Sequence, residues 1–355
     1  MKTQRLLQLL IILASGFFMQ CTSDPIPGPP GADGADGIDG IDGIDGVDGT
    51  TSCVSCHSNE YRDPIRLAYA ESRHGSSVGT QWARRGQSAS CARCHGNEGF
   101  VDYLSGLYVD SLGNAIANPD GYLVGNPINC SGCHDMHRSF NFEEDGNDKA
   151  VRSIEPVDLF LDPNVTIDIR NTSDELGLSN LCVNCHQPRD SYEIPGPTAD
   201  YIVTSSRFGP HHGPQSVMLE GIMGANISGS VAYPGVGSAG HREGSSCIAC
   251  HMGESSDPEQ GDHTWKAADD TCLNCHSSRP AEVTGFEDDF LRLKNLLIAA
   301  GALDEEGNTV RDTLPAHVAQ ATWNWRYLYQ DHSHGVHNPN YAKALLKNSI
   351  EALEN

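Results

Sequence analysis

The sequence predicts a mainly α fold with extensive irregular coil, a single wrapped body at residues 51–355 preceded by a short glycine-repeat stalk. Three observations carry that prediction. Only 38% of the 355 residues are hydrophobic and 7% aromatic, with 37 glycines and 19 prolines, which is lean for a core of side chains alone. Twelve of the 13 cysteines fall in one pattern, Cys-x-x-Cys-His, repeated six times. Helical periodicity is clearest near the carboxyl end, at Phe286 to Ala300, Pro315 to Gln330 and Tyr341 to Leu353.

The amino terminus reads as an export signal. Lys2 and Arg5 precede the apolar run Leu6 to Phe18, too short for a comfortable membrane span and suited to a signal-peptide core, so residues 1–20 are assigned to it. Cys21, the one cysteine outside the repeated pattern, sits where a lipoprotein's acylated cysteine would. Gln20 departs from the small residue a lipobox wants; the alternative is ordinary cleavage near Ala14 to Gly16. Lipidation of Cys21 is the expectation.

Residues 21–50 form a linker. Gly28, Gly31, Gly34, Gly37, Gly40, Gly43, Gly46 and Gly49 recur every third position, as a collagen triple helix requires, and Asp closes six successive triplets from Asp33 to Asp48. One reading is a collagen-like stalk that trimerises or spaces the body from a membrane. The other is a flexible acidic linker, because the repeat is short and aspartates in register repel.

The six motifs are Cys53-Cys56-His57, Cys91-Cys94-His95, Cys130-Cys133-His134, Cys182-Cys185-His186, Cys247-Cys250-His251 and Cys272-Cys275-His276. This is the attachment signature of c-type heme: two thiols form thioethers with the porphyrin vinyl groups, and the adjacent histidine becomes the proximal iron ligand. Chance, disulfide pairing and zinc binding leave unexplained why a histidine follows every second cysteine. Six covalent hemes are therefore expected, each burying apolar surface as shared core. Intervals between motif starts run from 25 residues (Cys247 to Cys272) to 65 (Cys182 to Cys247), so no regular solenoid is implied.

Of 16 histidines, ten lie outside the motifs and can supply distal ligands. Local context ranks His74, His137, His241, His263, His337 and one of His211 and His212 first. The other member of that last pair would orient its neighbour or a propionate. His134 and His137 are close enough in sequence to serve two different, stacked hemes. His317, His332 and His334 rank lower. Six distal candidates for six motifs suggest bis-histidine coordination throughout. Met218 and Met223 are the competing thioethers, since Met136 and Met252 follow their own motifs too closely to reach over the same ring.

The segments Leu181 to Gln187, Gly209 to Gln215, Cys247 to Met252 and Gly335 to Tyr341 resemble those of bacterial multiheme c-type cytochromes, the extracellular and periplasmic electron carriers of metal-respiring bacteria. The resemblance covers roughly residues 51 to 350. It implies closely spaced bis-histidine hemes in alternating stacked and T-shaped pairs, and some of its members polymerise into filaments.

Charge and motif grammar narrow the function. A net charge of −24 disfavours nucleic acid and anionic lipid surfaces. The acidic run Glu143 to Asp148 does not follow EF-hand spacing and reads as a solvated loop. Electron transfer without enzymatic turnover, outside the cytoplasm, with redox proteins or extracellular acceptors as partners, is the leading expectation. A reductase or oxidase of a small oxyanion needs an open iron, which some families mark with Cys-x-x-Cys-Lys; none occurs here. A filament subunit is the third reading.

Overall fold

The computed structural model describes residues 51–137, 149–280 and 283–355. The signal segment, Cys21, the glycine-repeat stalk and the acidic run at 143–148 all lie outside them.

The first part of the body is a series of short helices set by local caps. α1 (Thr51–His57) carries the first motif and meets α2 (Asn59–Glu71) at Ser58, whose hydroxyl accepts the Tyr61 N–H at 3.2 Å as an N-cap. α2 stops at Glu71, three residues short of His74. Ser72 is extended at ψ 161°, and its Oγ donates to the Tyr69 carbonyl and accepts the Gly75 N–H, bending the chain so that His74 leaves the helix. α3 (Ser77–Ala83) leads to α4 (Ala89–His95), which holds the second motif, and α5 (Asn97–Ser105) ends in a left-handed Gly106 at φ 64°. Gly99 lets α5 lie against α4, since a Cβ there would fall 2.4 Å from that of Ala92.

Regular structure then thins. Between β1 (Tyr108–Val109) and β2 (Ala115–Ile116), Asp110 accepts the Leu112 and Asn114 N–H groups to fix the turn. α6 (Cys130–Cys133), the ladder of β3 (Val157–Asp158) with β4 (Thr166–Ile167), and α7 (Asn180–Val183) follow. Next come β5 (Tyr201–Ile202), α8 (Gln215–Glu220), α9 (Gly240–Gly244), α10 (Cys247–His251) and α11 (Asp269–Cys272). Residues 222–239 hold neither helix nor strand, as their Gly, Ser and Ala content leads one to expect. The three two-stranded antiparallel ladders are an addition to the sequence reading.

The carboxyl end is a unit of three helices, α12 (Phe286–Ala299), α13 (Ala316–Asp331) and α14 (Pro339–Glu354), each within two residues of its expected bounds. β6 (Thr313–Leu314) precedes α13 and pairs with β5. Here the structure corrects the expectation of a side-chain-poor core. Leu293, Leu297, Trp323, Tyr327, Tyr341, Leu345 and Leu346 are fully buried and join Leu159, Ile167, Ile169, Val203, Phe208 and Met218 in one cluster. The low overall hydrophobic content is unevenly spread, so this end gathers enough apolar area to pack by itself. Trp323 donates to the Met223 carbonyl at 2.9 Å, and Trp325 stacks between Phe290 and Tyr329. Among the described residues, no helix is long and apolar enough to cross a membrane.

Candidate heme sites

The third, fourth and sixth motifs close a single helical turn on themselves. The histidine N–H donates to the carbonyl of the first cysteine at 2.8 to 2.9 Å for His134, His186 and His276. That turn places two cysteines three residues apart on one side, with the histidine beside them. Asn129 and Ser246 cap the third and fifth motifs by accepting the Ser131 and Ala249 N–H groups. The ten motif cysteines from Cys91 to Cys275 form no disulfide. Nor do three or more His, Cys, Asp or Glu side chains converge on a compact metal site among the described residues.

Each motif histidine instead faces one other histidine. Ring centres are 6.0 Å apart for His57 and His137, and 6.2 Å for His95 and His211, for His134 and His263, and for His276 and His241. They are 6.3 Å apart for His186 and His74 and for His251 and His337. Two metal–nitrogen bonds of about 2 Å, with each ring centre roughly 1.1 Å behind its nitrogen, would set facing imidazoles ~6.3 Å apart. The intervals therefore fit a metal between each pair. His134 and His137 face different partners.

The far nitrogens are held as ligating imidazoles require. Nδ1 meets the Lys149 carbonyl for His134 (2.8 Å), Gln215 Oε1 for His186 (3.1 Å) and the Trp265 carbonyl for His251 (2.9 Å). On the facing side, Nδ1 of His241 meets the Val336 carbonyl, that of His263 meets Asp262 and that of His337 meets Asp331 at 2.7 Å. An acceptor on Nδ1 puts the proton there and leaves the Nε2 lone pair for a metal. Burial, aided by His186, lowers His74 to about 4; burial, with His212, Arg189 and Arg85, lowers His95 to about 4. Burial, then Arg189, His212, His95 and Arg207, lowers His211 to about 3. These rings are held neutral, the form that binds metal. At His337 burial also opposes charge, but the Asp331 carboxylate outweighs it and raises the pKa.

The motifs crowd one another. Cys94 Sγ lies 3.9 Å from the Asn184 carbonyl oxygen and Cys185 Sγ 3.7 Å from that of Arg93, and Ile248 of the fifth motif donates its N–H to Ser179 Oγ, three residues before Cys182, at 3.3 Å. The second, fourth and fifth motifs thus form a row. Trp265 stands at a junction, its ring 4.8 Å from that of His74 and 5.3 Å from that of His263, with its carbonyl on His251. Exposed apolar side chains, among them Leu67, Trp82, Met136 and Leu273, flank the motifs and offer surface for an apolar group.

The remaining candidates sit elsewhere. His212 lies tilted beside His211 with its Nδ1 on Gln330 Oε1, His334 meets Glu287, His332 lies by Tyr329, and His317 is exposed. Met218 is buried in the apolar core and Met136 is exposed. Sequence reasoning passed over Asp331, Trp265, Gln215 and Arg189, which have no motif grammar of their own.

No protein-family pattern matches the chain. Among solved structures it is similar to the outer cell wall cytochrome OcwA, at 17% identity and a TM-score of 0.49 over 81% of this chain and 50% of that one. It is also similar to the undecaheme cytochrome from the S-layer of Carboxydothermus ferrireducens, at 17% identity and a TM-score of 0.45 over 79% of this chain and 40% of that one. The chain spans half or less of the length of each. The chain's own repeated Cys-x-x-Cys-His motifs are, each, an attachment signature for c-type heme.

Proposed function

We propose that the protein transfers electrons through six covalently bound, bis-histidine c-type hemes, outside the cytoplasm, between redox proteins or to extracellular acceptors. One observation carries the proposal: every motif histidine has a second histidine facing it at an interval that suits a shared iron. The pairs that would hold iron are His57 with His137, His95 with His211, His134 with His263, His186 with His74, His251 with His337 and His276 with His241.

Heme bound at these pairs supplies a one-electron iron couple. The chain's own residues do the rest. The cysteine pairs fix each ring on a helical turn, and the Nδ1 acceptors hold the imidazoles in one tautomer and orientation. Contacts of Cys94 with Asn184, of Cys185 with Arg93 and of Ile248 with Ser179 set the second, fourth and fifth motifs side by side, the proximity that electron tunnelling needs. Two imidazoles per site exclude an exchangeable ligand, which favours a carrier over the reductase reading. All six facing histidines come from this chain, which favours a self-contained relay over a filament whose subunits share ligands. Export follows from the signal-like segment; the Cys21 lipid and the stalk would tether the body at the outer surface or in the periplasm.

Two measurements test this on the exported protein. A pyridine hemochrome assay should find six hemes per chain. Electron paramagnetic resonance of the oxidised protein should then contain only low-spin ferric signals, and a stoichiometric high-spin signal would overturn the closed-site reading.

A further inference from the structure

We infer that the row of second, fourth and fifth motifs is polarised: arginines make the second-motif heme the electron-accepting end and Asp331 makes the fifth-motif heme the electron-donating end. This rests on the bis-histidine heme reading above and adds a direction to it.

The cationic end is set by Arg189 and Arg326. Each buries a guanidinium Nε with no hydrogen-bond partner, and neither forms an ion pair among the described residues. Arg326 donates from Nη1 to the Gly307 carbonyl at 3.2 Å, and its guanidinium lies 5.5 Å from the Tyr329 ring centre. A buried donor of a charged group without an acceptor is destabilising, so such a fork calls for an anion. The acceptor chemistry at hand is a heme propionate. The charges of Arg85 and Arg189 act on His95, and those of Arg189 and Arg207 on His211. In a chain of net charge −24, the guanidiniums of Arg85, Arg189 and Arg207 around one site, with the Arg326 side chain packed against Gly209 two residues before His211, are a local reversal of sign. Positive charge beside an iron disfavours the ferric state and raises its potential.

The anionic end lies two sites away. Asp331 is almost fully buried, with its side chain 1% exposed, and accepts the His337 Nδ1–H at 2.7 Å. Its second oxygen accepts from the Ser333 hydroxyl and N–H. A buried carboxylate on an axial imidazole gives that ring imidazolate character, strengthens its bond to ferric iron and lowers the potential. The fourth motif lies against both ends, through Cys185 Sγ to the Arg93 carbonyl at 3.7 Å and through Ser179, whose Oγ accepts the Ile248 N–H at 3.3 Å. Oxidation of a ferrous iron at the fifth motif is then matched by reduction of a ferric iron at the second. One electron moves within the molecule and no outside reductant is needed for the ordering.

The test is a spectroelectrochemical titration of the intact holoprotein and four variants, each first matched to wild type in heme content. R189Q and R326Q should move the highest-potential component to lower potential, R189K should hold it near the wild-type position, and D331N should move the lowest-potential component upward. An unmoved highest component in R189Q and R326Q, or a lowest component that stays or falls in D331N, overturns the inference. Should an arginine variant fail to fold, D331N still decides. A wild-type protein without heme would instead sink the underlying reading, and the hemochrome assay sees that separately.

Discussion

His211 and His212 are chemically identical and adjacent, yet their backbones and neighbours divide their roles. His211 adopts a left-handed φ of 68°, uncommon for a non-glycine residue and consistent with a position held by its surroundings. That turn aims its ring at His95, while His212 turns to Gln330. H211A should therefore convert about one heme in six to a high-spin signal in the resonance spectrum, whereas H212A should leave the spectrum low-spin. The sequence left these two open because a Pro-His-His-Gly turn offers both rings equally, and only the tertiary contact selects one. It placed the motif cysteines and histidines and the other five facing histidines among the first candidates, because metal ligands need particular residue types. Asp331 and Arg189 stayed hidden for the opposite reason: an acid or a guanidinium acts through space, and nothing in its local sequence announces what it will approach.

At the level of the element, α12, α13 and α14 were readable because amphipathic helices repeat their apolar positions every three or four residues. The two-residue ladders were not. Tyr201 pairs with Leu314 across more than a hundred residues, and a pairing that short is fixed by the surrounding fold rather than by strand propensity. The ends of the motif helices follow caps such as Asn129 and Ser246, local enough to read in retrospect. α13 also shows a polar device inside an apolar helix. Asn324 is fully buried, accepts the Ala225 N–H at 2.7 Å and donates to the Ala225 carbonyl and to Ser349. It pins the irregular 222–239 segment to the helical unit. N324A would leave both Ala225 groups buried and unpaired, at about 1–3 kcal/mol each before relaxation. Thermal unfolding of N324A should show a fall in stability of roughly 3 kcal/mol, with the heme content intact; an unchanged midpoint would remove this pin from the account.

For the whole molecule, the two ends of the body are stabilised by different physics. Apolar side chains pack densely around α12 to α14, whereas α1 and α2 contain no buried hydrophobic residue. The facing pairs interleave along the chain: His57 with His137, His74 with His186 and His95 with His211 each begin before the previous pair has closed. A metal joining each pair would cross-link loops of about 80 to 120 residues, and closing long loops restricts the unfolded chain most. Heme-free protein should accordingly lose order at its amino half first. Limited proteolysis of residues 51–355 made without heme attachment should cut before residue 137 early and leave a resistant carboxyl fragment containing α12 to α14. Equal susceptibility along the chain would contradict the division.

The position of His337 has a consequence in time. It follows the last of the six motifs by more than a helix's length, and it faces the fifth. A chain delivered amino end first presents all twelve motif cysteines for thioether formation before His337 arrives. A heme at the fifth site would then stay open until His337 and the segment leading into α14 have emerged. On the proposed ligation, a nascent chain cut short ahead of His337 would hold every heme attachment motif and still expose one reactive iron.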